Sequence, residues 1–529
     1  MPLRWKLSWR MFHTPFGHFL GVAVVSLLLG FWVTRHGPFM WDDMVRYFHS
    51  RSLLGAYHIT GDTFFEHTRY YAPLWELILG LSSELYFGWL HDPFWVRHAF
   101  TFALLPLGLY TLYRLLRRAG ISTAGSLLCI SCMIGIIRFG GHALFNVKDF
   151  VGAMAYLVVS VWTWVLLQEG LRRKFSHSLL VKLGIISVLP FLVRSPLLPH
   201  FGLTLCALGI IALRHKHLSL RRRVSIIGIP FLAGLLFTIV VSPAFWTFDI
   251  REWIKPLLFF ADYPNWNGYT RIFGVAMNAE KLPLWYAPAW IPVIAHPVVL
   301  FLSVIGVYLG IRHRRTIGHH ARVPLLSWLW LLTGLSWAIV LLVHPKLYDE
   351  ERHVLFLYPL LFLTCTVGLD VLKKEWKYIC TATVLFLSCT SYLHWGQFSY
   401  VYKSPLVSIE PGDYLGDYWS TCAGNAVKAM KDRVPPGTGL EVIGSPAVAY
   451  ITLERAKTSL FWSDPALQNY HYEPNKVPEE LPYARIAYNR DNMLQTTLQD
   501  VKQGKATLLW EQQMPPGEPA CVLVLVTKH

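Results

Sequence analysis

Charge is scarce in this chain: only 15% of its 529 residues are Asp, Glu, Lys or Arg, against about a quarter in soluble domains. Acidic residues are fewer still, 32 against 48 basic ones. The sequence has no internal repeat and no low-complexity run, which argues against the paired halves with broken helices typical of secondary transporters. It also has no Asn-x-Ser/Thr acceptor for glycosylation, which weighs towards a bacterial chain. Cysteines are also few, eight in all.

What fills the chain is hydrophobic: 54% of residues, with a mean hydropathy of +0.38 and 22 Trp, 25 Tyr and 31 Phe. Roughly 20 apolar residues cross a bilayer as a helix, because each adds 1.5 Å against about 30 Å of hydrocarbon. Eleven such spans are expected, at about 16–34, 98–113, 121–139, 150–168, 179–193, 198–213, 224–243, 291–311, 323–343, 353–372 and 378–395. The aromatic residues suit anchors at the two interfaces.

The net charge of +16 would suit nucleic acid, but its distribution does not. Arg4, Lys6 and Arg10 precede the first span, and Arg114, Arg117 and Arg118 follow the second. Basic groups recur after the fourth (Arg172, Arg173, Lys174), sixth (Arg214, Lys216, Arg221, Arg222, Arg223), eighth (Arg312, Arg314, Arg315, Arg322) and tenth (Lys373, Lys374, Lys377). Every second loop is basic, which the positive-inside rule reads as cytosolic. The expected chain is thus a multi-pass protein of the plasma (inner) membrane, with a cytosolic N-terminus and no nucleic-acid partner. The first span is long and lacks a small-residue cleavage pattern, so it is expected to be a permanent helix.

This topology leaves 35–97, 244–290 and a tail from 396 on the outer side. The expected division is 1–395 as a helical membrane unit and 396–529 as a small extracytoplasmic α/β domain. Its signs are turns at Pro435-Pro436-Gly437 and Pro515-Pro516-Gly517, a helix near 421–433, and strands at Leu440–Ile443 and Cys521–Val526. Segments 43–58 and 70–90 read as interfacial helices. Six cysteines lie in spans; Cys422 and Cys521 share the tail, on an oxidising side, and are expected to form a disulfide. Two buried free thiols are the alternative.

The chemistry-bearing residues cluster at the outer ends of spans. Asp42 and Asp43 follow the first helix in His36-Gly-Pro-Phe-Met-Trp-Asp-Asp-Met-Val-Arg-Tyr47. They read either as a general base with a perturbed pKa or as helix caps. The short loop Phe145-Asn146-Val-Lys148-Asp149-Phe150 carries a cation–carboxylate pair between two spans. That pair fits a phosphate site or a snorkelling pair. Arg194, and Arg352 with His353, are cations on the side where cations are rare, which an anionic partner explains. Lys281-Leu-Pro-Leu-Trp-Tyr286 reads as an aromatic belt or as the wall of a lipid or sugar groove.

At these residues the sequence resembles the GT-C superfamily, in its protein O-mannosyltransferase and lipid A aminoarabinose transferase-like branch. The resemblance rests on the acidic pair with Tyr47 following, Tyr71-Ala-Pro73-Leu74, Asn146 to Asp149, Arg194, Pro283-Leu-Trp-Tyr286, Arg352-His353 and Gly416-Asp-Tyr-Trp419. It departs at Asp43, where the usual pair is Asp-Glu. It implies an inverting glycosyltransferase that moves a sugar from a polyprenyl-phosphate lipid to an acceptor hydroxyl of a lipid, protein or glycan, on the outer face. It implies no cofactor or metal, and such a donor accounts for the absence of a nucleotide-sugar motif. Asp42 would be the catalytic base, with Lys148, Arg194 and Arg352 binding the donor phosphate. Asp43, Asn146, Asp149, Tyr71, Tyr286 and His353 would bind substrate. A lipid-linked sugar transporter or flippase, or a non-catalytic lipid-sugar binding protein, is the alternative.

Overall fold

The computed structural model describes residues 15–528 except 36, 38, 41, 63–70, 72, 215–218, 248, 260–267, 314–323, 408–409, 411–412, 444–447, 449–450, 454–477, 479–480, 490–492 and 516. Among them each of the eleven expected apolar stretches lies on helix, for the reason that marked it: in hydrocarbon only a helix satisfies every backbone group locally.

The helices are α1 (Pro15–Thr34), α2 (Asp43–Ala56), α3 (Pro73–Leu81), α4 (Pro93–Arg118), α5 (Thr123–Ile134), α6 (Ile137–His142), α7 (Asp149–Arg173), α8 (His177–Val193), α9 (Pro199–Arg214), α10 (Leu220–Val241) and α11 (Ile250–Phe259). They continue with α12 (Tyr286–Ala289), α13 (Ile291–Ile294), α14 (Pro297–Arg312), α15 (Leu325–Val343), α16 (Leu357–Thr366), α17 (Lys374–Trp395), α18 (Ala423–Met430) and α19 (Met493–Lys502). Among the described residues six helices are long and apolar enough to cross a membrane, or seven if the bent pair over 286–312 is one span. Three shorter apolar helices lie at Thr123–Ile134, His177–Val193 and Leu357–Val371.

The deviations from eleven plain spans have local causes. The stretch 121–139 breaks at Gly135 and Ile136 and resumes as α6. The stretch 291–311 bends by 113°, where Pro297, which lacks an N–H, starts a new helix. The stretch 353–372 finishes as a 3-10 turn over Val367–Val371. There Gly306 and Gly368 let two backbones touch: a Cβ on Gly306 would strike the Cys365 carbonyl. Several helices begin at a capping side chain: Asp92 accepts from Trp95 N, Ser122 from Gly125 N and Ser176 from Leu179 N.

Lys377, read from sequence as a loop charge, sits on α17 and is buried. Its Nζ donates to Ser122 Oγ at 2.9 Å and to Asp370 Oδ1 at 3.2 Å, tying α17 to the start of α5.

α2 and α3 occupy the stretches expected to lie along the membrane surface, and Ser82–Tyr86 extends α3 as a π-helical turn. A hairpin of β1 (Tyr269–Ile272) and β2 (Val275–Asn278) follows α11. The tail holds β3 (Leu440–Ile443), β4 (Tyr483–Tyr488), β5 (Ala506–Met514) and β6 (Glu518–Val526) in the order β3-β4-β6-β5, with only β3–β4 parallel. Cys422, just before α18, lies against Cys521 of β6 with Cα atoms 6.1 Å apart and the sulfurs in contact. The segment between α17 and α18 packs into the helical part: a Cβ on Gly141 would strike the backbone of Ser399 and Tyr400.

Candidate functional site

Asp42 precedes the first residue of α2, and its side chain makes no capping bond. Instead Oδ2 accepts from Lys148 Nζ at 2.5 Å and from Arg352 Nη1 at 3.2 Å. Successive residues at a helix start point about 100° apart, and Asp43 turns the other way. It accepts from Met40 N at 2.8 Å and meets His98 Nε2 at 3.0 Å, almost fully buried. Neither aspartate caps α2 through its side chain: Asp43 instead ties the chain before α2 to His98 of α4, away from the cation cluster.

The loop before α7 is set by Asn146, whose Oδ1 accepts from Asp149 N at 2.9 Å while its amide meets His142 Nδ1 at 3.0 Å. This turn points Lys148 at Asp42 and buries Asp149. The Asp149 carboxylate meets Arg194 Nη2 at 2.7 Å and lies 4.0 Å from Arg352 Nη1. Arg194, where α8 ends, also approaches His353 Nδ1 at 3.3 Å. Arg352 Nη2 pairs with Asp349 Oδ2 at 2.7 Å, and its guanidinium lies over the rings of Tyr348 (5.1 Å) and Trp419 (5.2 Å). Three carboxylates (Asp42, Asp149, Asp349) thus meet three cations (Lys148, Arg194, Arg352) in one network drawn from four separate stretches of chain.

Beside it Arg46 and Arg97 share Glu76, at 3.0 and 2.8 Å, which leaves one cation in surplus. Tyr71 lies under the Arg46 guanidinium at 4.3 Å and against the His49 ring. Tyr71, Arg46, Trp75, Lys148 and Arg194 line a small chamber next to the network. Tyr286 stands outside the network: its hydroxyl meets Thr270 Oγ1 at 2.7 Å and donates to the Glu350 carbonyl at 3.2 Å.

The electrostatics follow from burial and proximity. Burial works to raise the Asp42 carboxyl, but Lys148 and Arg352 outweigh it and hold Asp42 well below the usual range. Burial lowers Lys148 to about 8, with Asp42 offsetting part of that loss. At neutral pH Asp42 is therefore an anion whose Oδ2 is occupied.

An apolar groove of about 260 Å³ opens against this network between the end of α8, the start of α9, α15 and the chain before α16. Val340, Val343, Leu347 and Phe356 line it, and Arg194, Lys346 and His353 are among its polar lining residues, with Ser195 and Ser336. Such a shape takes a chain-like apolar body with an anionic head. Among the described residues no three His, Cys, Asp or Glu side chains gather as a metal site.

Several residues here were not singled out in sequence. Arg138 of α6 donates through Nη1 to both Glu350 and Glu351, and through Nε to the Tyr402 carbonyl at 2.7 Å, with its guanidinium 4.8 Å from the Trp290 ring centre. The available signal was an arginine inside an otherwise apolar stretch, which demands a buried partner. Asp417 accepts from the Tyr400 hydroxyl, from Thr421 N and from Cys422 N, and so fixes the turn that presents Trp419.

No family model matches the chain, and no curated protein matches it. Among solved structures, ArnT from Cupriavidus metallidurans in the apo state is similar at 15% identity, over 96% of this chain and 97% of that one, with a TM-score of 0.46. The same protein bound to undecaprenyl phosphate aligns at 14% identity over 96% and 98%, TM-score 0.44. The Archaeoglobus fulgidus oligosaccharyltransferase AglB, in complex with an inhibitory peptide and a dolichol-phosphate, aligns at 12% identity over 89% of this chain and 62% of that one, TM-score 0.41.

Proposed function

We propose that this membrane protein is an inverting glycosyltransferase that moves a sugar from a polyprenyl-phosphate carrier to an acceptor hydroxyl on the extracytoplasmic side. The observation that carries the reading is the single carboxylate oxygen of Asp42 shared by Lys148 and Arg352, in a network that adjoins an apolar groove. A prenyl chain fits the groove, and its phosphate meets Arg194, Lys148 and Arg352.

The resting network is electrically balanced, so an incoming phosphodiester must compete with carboxylates for those cations. Drawing Lys148 and Arg352 towards the phosphate removes what depresses Asp42, and its basicity rises when the donor is present. Asp42 then takes the proton of the acceptor hydroxyl as that oxygen attacks the anomeric carbon. The bond from that carbon to the phosphate oxygen breaks, and the leaving lipid phosphate gains negative charge. Lys148, Arg352 and Arg194 stabilise that charge in a site of low dielectric, where such stabilisation is strongest. Attack from the face opposite the phosphate inverts the configuration.

The same reading makes residues 1–395 the catalytic membrane unit and 396–529 an extracytoplasmic domain. It gives Asn146 and Asp149 the role of orienting Lys148, and Tyr71 a wall of the adjoining chamber. The test is transfer from a short-chain polyprenyl-phosphate sugar by purified protein. Release of lipid phosphate with an inverted glycoside supports the reading. Binding without turnover, for every acceptor class, would leave only a lipid-sugar binding protein.

A further inference from the structure

Two consecutive non-glycine residues, Asp349 and Glu350, adopt left-handed backbone conformations, with φ of +53° and +63°. Side chains other than glycine rarely do so, and such strain persists only where the surroundings enforce it. This turn sits directly before Arg352, and its first residue is the carboxylate that holds Arg352 Nη2.

The enforcement comes from three directions. Arg138, on α6, donates to the carboxylates of both Glu350 and Glu351. Leu415, in the tail, donates its backbone N–H to Glu350 Oε1 at 2.9 Å. Tyr286 donates to the Glu350 carbonyl at 3.2 Å. Glu350 is fully buried and touches neither Asp42 nor the groove, so it has no place in the chemistry itself.

We propose that Glu350 and Arg138 are positioning residues: with Leu415 of the tail they lock the strained turn in the one shape that delivers Arg352 to Asp42 and the donor phosphate. The tail is on this view part of the active unit, because it supplies the Leu415 N–H behind Arg352 and the Trp419 ring beside it. The inference rests on the donor-phosphate role given to Arg352 above. A displacement of about 1 Å at such a group costs on the order of a hundredfold in rate.

The experiment is a double-mutant cycle on the full chain, read by affinity for a short-chain polyprenyl monophosphate and by transfer kinetics. Glu350→Ala leaves Arg138 and Glu351 as a neutral pair, so it is the least disruptive deletion; Tyr286→Phe is a gentler second probe of the same turn. Glu350→Ala is expected to weaken phosphate binding about tenfold or more in wild-type background, and by less than about twofold when Arg352 is already Ala. Glu350→Gln, which keeps an acceptor for Leu415, should restore part of the loss. Tyr286→Phe should act in the same direction, more weakly, and decides the matter if Glu350→Ala does not fold. Wild-type binding in a folded Glu350→Ala protein, or losses that add in full to those of Arg352→Ala, would overturn the positioning role. If Arg352→Ala itself left binding and transfer intact, the phosphate role of Arg352 would fall instead.

Discussion

Lys148 reaches across 106 residues of sequence to place its ammonium 2.5 Å from Asp42 Oδ2. The pairing holds the carboxylate ionised and at the same time occupies it. If Asp42 is the general base proposed above, it contributes only after something else claims the cation, which ties proton abstraction to the presence of the donor. Asp42→Asn keeps the shape and removes the base. Transfer is expected to fall by about 10²–10⁴-fold, the usual worth of general-base catalysis, while the protein still binds polyprenyl monophosphate. Turnover near wild type would take Asp42 out of the mechanism.

The reach of sequence reasoning shows in this same cluster. Asp42, Lys148, Asp149, Arg194, Arg352 and His353 are legible one by one, because a charge next to hydrocarbon needs a reason. Asp43 is adjacent to Asp42 and of the same type, and only the helical turn separates their directions. Glu350 and Glu351 stand in a run of three acids beside Arg352, and Arg138 lies inside an apolar stretch. Their partnership joins residues over two hundred apart, which no local pattern encodes. Spans were legible through hydropathy, whereas β4 and β5 of the tail, flanked by loops of mixed character, carried too little signal to be placed.

The alkaline limb of activity should belong to Lys148. Burial lowers it to about 8, partly offset by Asp42, and only the protonated form attracts phosphate. Donor affinity is therefore full below that value and falls as pH rises through it, by up to tenfold per unit. Asp42, held well below the ordinary carboxylate range, remains ionised in the free enzyme at moderately acidic pH. It then gives kcat/KM no acid limb between about pH 5 and 7. Lys148→Arg should move the alkaline limb out of the measurable range. An unchanged limb in that variant would assign it to another group.

Arg194 is paired with a buried carboxylate, so its deletion should act twice. On the proposed reading Arg194→Ala removes a charge-assisted contact to the lipid phosphate, worth about 1.5–3 kcal/mol or roughly 10–100-fold in affinity. It also strands Asp149, at a cost of about 3–5 kcal/mol in stability. Adding Asp149→Asn should recover much of the stability and none of the affinity. Thermal unfolding in detergent and lipid-phosphate binding separate the two; recovery of both would make Arg194 structural only.

Cys422 and Cys521 are both buried and lie 99 positions apart in sequence. A covalent bond there is expected to stabilise the tail by about 2–5 kcal/mol, mainly by restricting the unfolded chain. Alkylation of denatured protein should leave two thiols unmodified unless reductant is added first, and Cys521→Ser should lower the unfolding temperature. Eight alkylated cysteines without reductant would show two free thiols instead.

The apolar groove carries the assignment of a lipid donor, and it can be closed without touching the charged network. Val340 lines the groove from α15 and is only partly buried, so an indole in its place projects into the cavity. In a cavity of about 260 Å³ that intrusion excludes a prenyl chain but leaves Asp42, Lys148 and Arg352 where they are. Val340→Trp is expected to weaken binding of a long-chain polyprenyl phosphate by at least about tenfold. Each buried CH₂ is worth about 0.8 kcal/mol, and even two or three lost ones reach that figure. Binding of inorganic phosphate, or of a carrier too short to enter the groove, should be unaffected. Equal loss for long and short carriers would mean that the indole had disturbed the cation network. No loss for either would mean that the lipid lies elsewhere, and the groove would then have no part in holding the donor.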